Sequence, residues 1–239
     1  MSPSHRRHLA RRKAQSLSGP AVSIFDAARG VEGRRDTANI SATGHQVDCE
    51  RIGETWLGQP VNSLSALVFA VCGLVITARR PERLWVGVAL IATGTGSFLF
   101  HGPMPAGSQW AHDVSLAWLL VVVPGVGTRW HDWVKLPGLI LLGAFFGLAP
   151  GFAEPVFVIL TAISIAVLLK RDRSLATYGP LTLLVLAAGL GRLGATGWPL
   201  CDPYSLLQPH AVWHLGSAAA VMWWALAAPG PTSRPAEAG

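Results

Sequence analysis

The chain has 239 residues, of which 51% are hydrophobic and only 13% are charged, and its formal net charge is +6. An ordinary soluble domain carries roughly 25% charged residues, and 15 of the 32 charged residues here lie in the first 54 positions. The rest of the chain therefore has too few charges to cover a soluble surface. This excludes a soluble globular enzyme, a disordered protein and a disulfide-rich secreted module.

Long uncharged or nearly uncharged segments follow the charged N-terminal region. About 20 mostly apolar residues cross a bilayer as a helix, and the absence of period-two alternation favours helices over membrane strands. A Pro150-Gly151 pair divides the longest segment into two helices. The sequence thus predicts an all-α membrane protein, a bundle of seven transmembrane helices at approximately residues 61–79, 83–101, 110–128, 135–149, 154–170, 177–195 and 208–227.

These helices define three segments of the chain. Residues 1–46 form a basic tail that we expect to be disordered, and this tail has no apolar stretch of the kind found in signal peptides. Residues 47–228 form the seven-helix domain, and residues 229–239 form a C-terminal tail. The positive charges lie in the tail and in short turns between apolar segments, which is where membrane topology places them. The net positive charge therefore does not indicate nucleic-acid binding, and we expect no nucleic-acid partner.

Lysine and arginine are distributed unevenly between the two sides of the predicted bundle. The loops on the side of the N-terminal tail carry none, apart from Arg192 near the end of helix six. The turns on the other side carry Arg79, Arg80, Arg83, Arg129, Lys135, Lys170, Arg171 and Arg173. The positive-inside rule therefore places the N-terminus outside and the C-terminus in the cytoplasm, although the basic tail opposes it. We expect a multi-pass protein of the plasma (inner) membrane, with its polar cluster near the extracytoplasmic face.

A small cluster of polar residues lies within the predicted helices. His101 closes helix two, Asp113 opens helix three, and His210 and His214 open helix seven, all near the same side of the membrane. Ser97 precedes His101 by four residues, so both lie on one helix face. Ionisable groups inside membrane spans are costly and are usually functional.

The histidine spacing predicts a metal site. An i, i+4 pair such as His210 and His214 can direct two imidazoles at one ion, and His101 completes the three-ligand arrangement of catalytic zinc. We predict one zinc ion per chain, with a fourth position open for a water whose pKa zinc lowers to about 7. Asp113 could take a proton from that water, and Ser97 could donate a hydrogen bond to a developing oxyanion. Copper, iron or nickel also suit imidazole ligands, and a histidine near a helix end is often only a packing residue.

The remaining histidines are not predicted to take part. Three of them lie in the N-terminal tail, and His131 lies in a turn on the opposite side. His112 is next to Asp113, so on a helix it points about 100° away from it.

Two cysteines, Cys49 and Cys201, fall just outside the bilayer on the side of the histidines. If that side is extracytoplasmic, they could form a disulfide between the segment before helix one and the loop before helix seven. Their placement on one side could also be a coincidence.

Three sequence blocks resemble the alkaline ceramidase family, within the superfamily of seven-helix membrane hydrolases that includes the adiponectin receptors. The blocks are Cys49-Glu50 with residues 59–65 (QPVNSLS), residues 96–101 (GSFLFH) with 109–113 (QWAHD), and residues 208–214 (QPHAVWH). They extend over about residues 45–217. The Ser-xxx-His and His-xxx-His patterns are the most specific part of the resemblance.

The resemblance implies a zinc-dependent amidase that cleaves the amide bond of ceramide, or a related lipid amide, into sphingoid base and fatty acid. Its lipid substrate would enter from the bilayer. Carried over by position, His101, His210 and His214 would bind zinc, and Ser97 and Asp113 would be the supporting pair.

The chain departs from the eukaryotic members of the family in two places. The spacing from His101 to Asp113 is one residue longer than in those members. They also resemble each other in an acidic calcium site before helix one, where this chain has Gln59 in place of an acid. Calcium needs ~6–8 oxygen ligands, often several carboxylates, so we expect no calcium.

Three alternatives stay open at this point. One is a receptor-like bundle with a structural zinc, and another is a metal-free transporter or lipid-binding bundle. A transporter more often carries a polar stripe through the membrane midplane, whereas here the polar residues gather at one end. The third is an esterase or another lipid amidase with the same zinc site. The sequence favours no particular acyl chain and no oligomeric state.

Overall fold

The computed structural model describes residues 48–228, so the predicted tails 1–46 and 229–239 lie outside the described residues. Within residues 48–228 the chain forms seven α-helices, two short 3₁₀-helices and no strand, which confirms the all-α prediction for this part. The helices are α1 (Pro60–Arg79), α2 (Leu84–His101), α3 (Ser108–Gly125), α4 (Leu136–Leu148), α5 (Ala153–Arg171), α6 (Leu175–Leu193) and α7 (Pro209–Ala227). Every helix end lies within three residues of its predicted position.

Local sequence explains where the helices begin. Both α1 and α7 start with a Gln-Pro pair, in which proline occupies the first helical turn, where its missing N–H costs nothing. α3 begins two residues before its predicted start because Gly107, with φ of 84°, turns the chain directly ahead of it. This left-handed conformation favours glycine.

Within residues 48–228, four helical segments are long and apolar enough to cross a membrane by length and composition: Pro60–Arg79, Pro81–His101, Pro150–Arg171 and Leu175–Leu193. α4 is apolar but has only 13 residues. α3 and α7 are as long as their neighbours, with 18 and 19 residues, but their first turns carry the polar side chains of the predicted site. Large apolar side chains on α4, α5 and α6 face outward. These features fit a membrane protein.

α2 packs between α1 and α3, and small residues allow the close approach. A Cβ atom at Gly94 would lie 2.7 Å from the backbone nitrogen of Ala70 on α1. A Cβ atom at Gly96 would lie 2.9 Å from the carbonyl oxygen of Ala111 on α3. Small residues at such crossings let helix backbones approach closely. The tight packing brings the end of α2 beside the start of α3, where Asp113 lies.

The far end of the bundle is held by a buried arginine. Arg83, directly before α2, is 2% exposed. Its guanidinium donates hydrogen bonds to the carbonyl oxygens of Trp224, Ala225 and Ala228, at 3.1, 3.0 and 2.9 Å. It also lies over the Trp224 ring, 4.7 Å from the ring centroid. Arg83 therefore ties the start of α2 to the end of α7, which fixes the antiparallel alignment of these two helices.

Candidate metal centre

Three histidines meet where α2 ends and α7 begins. One ring nitrogen from each of His101, His210 and His214 lies within 4.8 Å of the others. The ring centroids of His210 and His214 are 4.5 Å apart, and the His101 ring lies 4.9 and 5.4 Å from them. The i, i+4 spacing puts two of the rings on one face of α7. These three side chains could hold one metal ion.

The proton position on His101 follows from its neighbour Gln59. The Nε2 of Gln59 donates a hydrogen bond to the backbone oxygen of Glu50 at 2.8 Å, which fixes the orientation of the amide. Its Oε1 then faces Nδ1 of His101 at 2.7 Å and can only accept. In the neutral imidazole the proton is therefore on Nδ1, and Nε2 keeps the lone pair that a metal needs.

His214 is also protonated on Nδ1, because of its contact with Ser65. The Ser65 hydroxyl donates its single hydrogen to the backbone oxygen of Asn62 at 2.9 Å. It must therefore accept from Nδ1 of His214, which also lies 2.9 Å away. The neutral His214 ring is protonated on Nδ1, and its Nε2 carries the lone pair that a metal needs.

His210 completes the pattern with a carboxylate. Oδ1 of Asp48 lies 3.2 Å from Nδ1 of His210, and an ionised carboxylate only accepts hydrogen bonds. Nε2 of His210 is buried and has no hydrogen-bond partner among the described residues. Histidines that bind metals commonly turn their other ring nitrogen to a carboxylate, a carbonyl or another oxygen. All three histidines show this arrangement, so the donor set fits a metal ion that accepts three neutral imidazoles.

Ser97 lies against the same site. Its side chain is buried, and its Oγ is 3.3 Å from Nε2 of His214. This is the nitrogen that the Ser65 contact leaves for the metal. The Ser97 hydroxyl is therefore beside the position that an ion would occupy, where it can donate a hydrogen bond to an oxygen of a bound substrate.

Asp113, buried in the first turns of α3, pairs with its neighbour His112. Oδ1 of Asp113 lies 2.9 Å from Nδ1 of His112. The His112 ring stacks on Phe100 at 4.9 Å and lies 6.3 Å from the His101 ring. The prediction that His112 points away from Asp113 is wrong. The 100° step separates the Cβ directions of adjacent helical residues, but the polar ends of these two side chains still reach each other.

The segment before α1 caps that helix and closes the site. The Glu50 carboxylate accepts hydrogen bonds from the backbone N–H groups of Val61 and Asn62, both at 2.8 Å, which are among the donors left unpaired at a helix start. Burial raises the pKa of the Glu50 carboxyl, and these two hydrogen bonds oppose the rise. A disulfide joins Cys49 to Cys201, the pair considered from the sequence.

Four residues around the site have roles that the sequence did not indicate: Asp48, Gln59, Ser65 and His112. Three of them, Gln59, Ser65 and His112, lie inside blocks of the family resemblance, but no spacing rule links Gln59 or Ser65 to the histidines. Gln59 is 42 positions from His101, and Ser65 is 149 positions from His214. Only the fold brings such partners together.

An apolar cavity of about 290 Å³ lies between α3, α5, α6 and α7. Phe69 lines this cavity and also meets the His214 ring edge-on, with 5.7 Å between ring centroids. Trp213 and Ser217, which flank His214 on α7, line it as well. The Phe69 ring therefore contacts both the cavity and the His214 ring.

No family model matches the chain, and no curated protein or solved structure is significantly similar to it. The family is therefore suggested only by the resemblance of the motifs. The function has to be argued from the arrangement of the site. That arrangement combines three neutral imidazoles, a hydroxyl group and a His–Asp pair at one end of a helical bundle, beside an apolar cavity.

Proposed function

We propose that this protein is a zinc-dependent intramembrane hydrolase of the alkaline ceramidase type. Its reaction is the hydrolysis of the amide bond in ceramide or a related lipid amide, which yields a sphingoid base and a fatty acid. The observation that carries this proposal is the set of three histidines, each with Nδ1 turned to an oxygen and with ring nitrogens within 4.8 Å of one another.

Zinc is the metal that this donor set suits best. Catalytic zinc is commonly held by three protein ligands, and neutral imidazole is among the ligands it favours. We assign the ligands to His101, His210 and His214, with one ion per chain and no calcium. A zinc ion held in this way acts as a Lewis acid, which polarises a carbonyl group and makes hydroxide available near neutral pH.

Asp113 and Ser97 supply the remaining chemistry. As a water molecule attacks the amide carbon, Asp113 accepts the proton that the water loses. Ser97 donates a hydrogen bond to the oxyanion that forms on the former carbonyl oxygen. Asp113 then passes its proton to the leaving amine, and the C–N bond breaks. Water is thus divided between the two products, with its hydroxyl on the fatty acid and its proton on the amine.

His112 supports this role of Asp113. Its Nδ1 lies within hydrogen-bond distance of one carboxylate oxygen, so an N–H at that position holds the carboxylate in a fixed direction. The other carboxylate oxygen is left for the proton of the attacking water. The stacking of His112 on Phe100 at 4.9 Å fixes the imidazole in turn.

The surroundings of the site suit a lipid. The cavity that ends at Phe69 is lined almost entirely by apolar side chains, as an acyl chain requires. Outward-facing apolar side chains on α4, α5 and α6 would face the lipid tails of the bilayer. We propose that the substrate enters sideways from the membrane and places one chain in this cavity.

The proposed topology has seven spans, with the N-terminus outside, the C-terminus in the cytoplasm and the site near the extracytoplasmic face of the plasma (inner) membrane. The disulfide between Cys49 and Cys201 supports this direction, because such bonds persist in oxidising compartments. A reporter that is active only in the cytoplasm, fused after residue 239, tests it. Activity of the reporter supports the topology, and its absence would reverse it.

The function is tested by incubating the purified protein with ceramide and with a diacyl ester of matched chain length. We expect fatty acid to be released from the amide by the wild type and to be nearly absent with Asp113→Asn. Release from the ester alone would make the protein an esterase. Bound zinc and bound fatty acid without turnover would favour a lipid-binding bundle, the second candidate, which the cavity beside the histidines also suits.

A further inference from the structure

Asp48 lies between two of the three histidines. Its Oδ1 is 3.2 Å from Nδ1 of His210, and its Oδ2 is 3.7 Å from Nδ1 of His101. Its side chain is only 14% exposed. A single carboxylate thus faces the outward nitrogens of two candidate metal ligands that come from different helices.

The backbone that carries Asp48 precedes α1 and is held by the loop between α6 and α7. Cys49 forms the disulfide with Cys201, and its N–H donates to Oγ1 of Thr196 at 3.1 Å. The N–H of Arg51 donates to the backbone oxygen of Pro203 at 3.1 Å. The loop before α7 therefore fixes the position of the carboxylate that faces the first histidine of α7.

Cys49 has a backbone conformation that is unfavourable for this residue type, so contacts with the loop before α7 have to hold it in place. Its φ is 67°, in the left-handed region that residues other than glycine rarely adopt. Such a conformation is strained and persists only where surrounding contacts hold it. The disulfide is the one covalent contact at this residue, and Asp48 is its direct neighbour.

We propose that Asp48 is a positioning residue of the metal centre and that the Cys49–Cys201 disulfide holds it there, so that zinc affinity depends on this bond. The inference rests on the proposed function, since it requires the histidines to bind zinc. The negative charge beside Nδ1 makes each imidazole a stronger ligand, and the contact at 3.2 Å fixes the direction of the His210 ring. Loss of such a partner typically lowers metal affinity 10–100-fold.

The disulfide makes this affinity sensitive to reduction. A phosphine reductant breaks the S–S bond, and with one water molecule it yields two thiols and a phosphine oxide. The segment at Asp48 is then held by hydrogen bonds, which join it to the loop before α7 and join Glu50 to Gln59 and to the start of α1. Replacement of both cysteines by serine removes the bond without creating thiols that could bind zinc themselves.

The test measures zinc affinity of the full-length protein in detergent by competition with a chromogenic chelator. The variants are Asp48→Asn, the double variant Cys49→Ser/Cys201→Ser and the triple variant with all three changes. Glu54→Gln is the matched control, because it removes the same charge from an exposed position of the same segment. We expect about 10–100-fold weaker binding for Asp48→Asn and for the double variant, and no change for Glu54→Gln.

The triple variant separates positioning from general loosening of the fold. If the disulfide acts through Asp48, the triple variant binds zinc no more weakly than Asp48→Asn alone, because the two changes remove one interaction. Additive losses would overturn the link between the disulfide and Asp48. Equal affinity of Asp48→Asn and Glu54→Gln would overturn the role of Asp48.

Two further results have to be distinguished: a double variant that does not fold, and a wild type that binds no zinc. If the double variant does not fold, folded wild type and folded Asp48→Asn are each treated with the phosphine, and only the wild type is expected to lose affinity. A wild type that binds no zinc at all would instead contradict the proposed function. That result is distinguishable from failure of the Asp48 proposal, in which the wild type binds zinc and the variant matches it.

Discussion

The two ends of the α2 and α7 pair both bury polar side chains, but in opposite ways. At one end the Arg83 guanidinium meets three carbonyl oxygens and the Trp224 ring, so its donors point to acceptors. At the other end three imidazoles turn their Nδ1 atoms to oxygens and bring ring nitrogens within 4.8 Å of each other. Lone pairs that face one another in a buried space need a cation or a donor between them.

The comparison shows that burial of a polar group does not by itself identify a functional site. A buried arginine that satisfies the end of a helix is a structural device. Three buried histidines whose ring nitrogens converge could hold a metal ion. Substitutions at the two ends should therefore have different effects on metal content and on stability.

The largest expected effect belongs to the histidine end. Asp113→Asn keeps the shape of the side chain but removes the group that accepts and returns the proton, so we expect turnover of the lipid amide to fall about 10²–10⁴-fold. Zinc content, measured on the same preparation by mass spectrometry, should stay near one per chain. Full activity of this variant would refute the role of Asp113.

Ser97→Ala should have the next largest effect. Removal of one donor to a developing oxyanion costs about 10²–10³-fold in turnover. Because Ser97 is not a proposed ligand, we expect the zinc content to be unchanged. A single-turnover assay with ceramide checks this, and unchanged hydrolysis would show that Ser97 only packs against His214.

Arg83→Gln should lower the stability of the fold and leave the zinc content unchanged. The change removes the arginine donor from the buried carbonyl oxygen of Ala225, at about 1–3 kcal/mol for such a group. The carbonyl oxygens of Trp224 and Ala228 still accept from the N–H of Ala228 and from Arg80. We expect the midpoint of thermal unfolding in detergent to fall by several degrees, with unchanged zinc content. Arg79→Gln at the same end is the control, because Arg79 is exposed. Loss of zinc in Arg83→Gln at a temperature where the protein is folded would contradict the division between the two ends.

The smallest effect is a pH dependence at the arginine end. Hydrogen bonds from Ser174 and Thr177 hold the pKa of the Asp172 carboxyl below its usual range. A lowered folded-state pKa stabilises the fold above the unfolded-state pKa, and this contribution is lost as the pH falls through the folded value. Thermal unfolding should therefore separate wild type from Asp172→Asn at pH 7, and the difference should shrink below about pH 4. A difference that grows in acid would contradict this assignment.

The helices and the meeting of the histidines could be predicted from the sequence for a simple reason. Long apolar segments must be helical in lipid, and i, i+4 spacing puts His210 and His214 on one face. Since α2 and α7 are antiparallel, the last residue of one meets the first turn of the other. The seven-span count and the orientation remain predictions, since four helices in the described part of the chain meet the length and hydropathy of a membrane span.

The contacts that set the protonation of the histidines could not be predicted in this way. Gln59, Ser65 and Asp48 come from the segment before α1 or from its first turns, and no periodicity relates them to the histidines. Their contacts depend on the close packing of α1 against α2 at Gly94 and on the disulfide at Cys49. The pairing of His112 with Asp113 was missed because helix geometry fixes Cβ directions and not the reach of polar side chains.

The most direct measurement is the metal content of the detergent-purified protein, by mass spectrometry, for wild type beside His214→Ala and Arg83→Gln. The two variants change opposite ends of the same helix pair. We predict about one zinc per chain in the wild type and in Arg83→Gln, and almost none in His214→Ala. No stoichiometric metal in the wild type, even after zinc is added, would contradict the proposal that this end of the bundle is a metal centre.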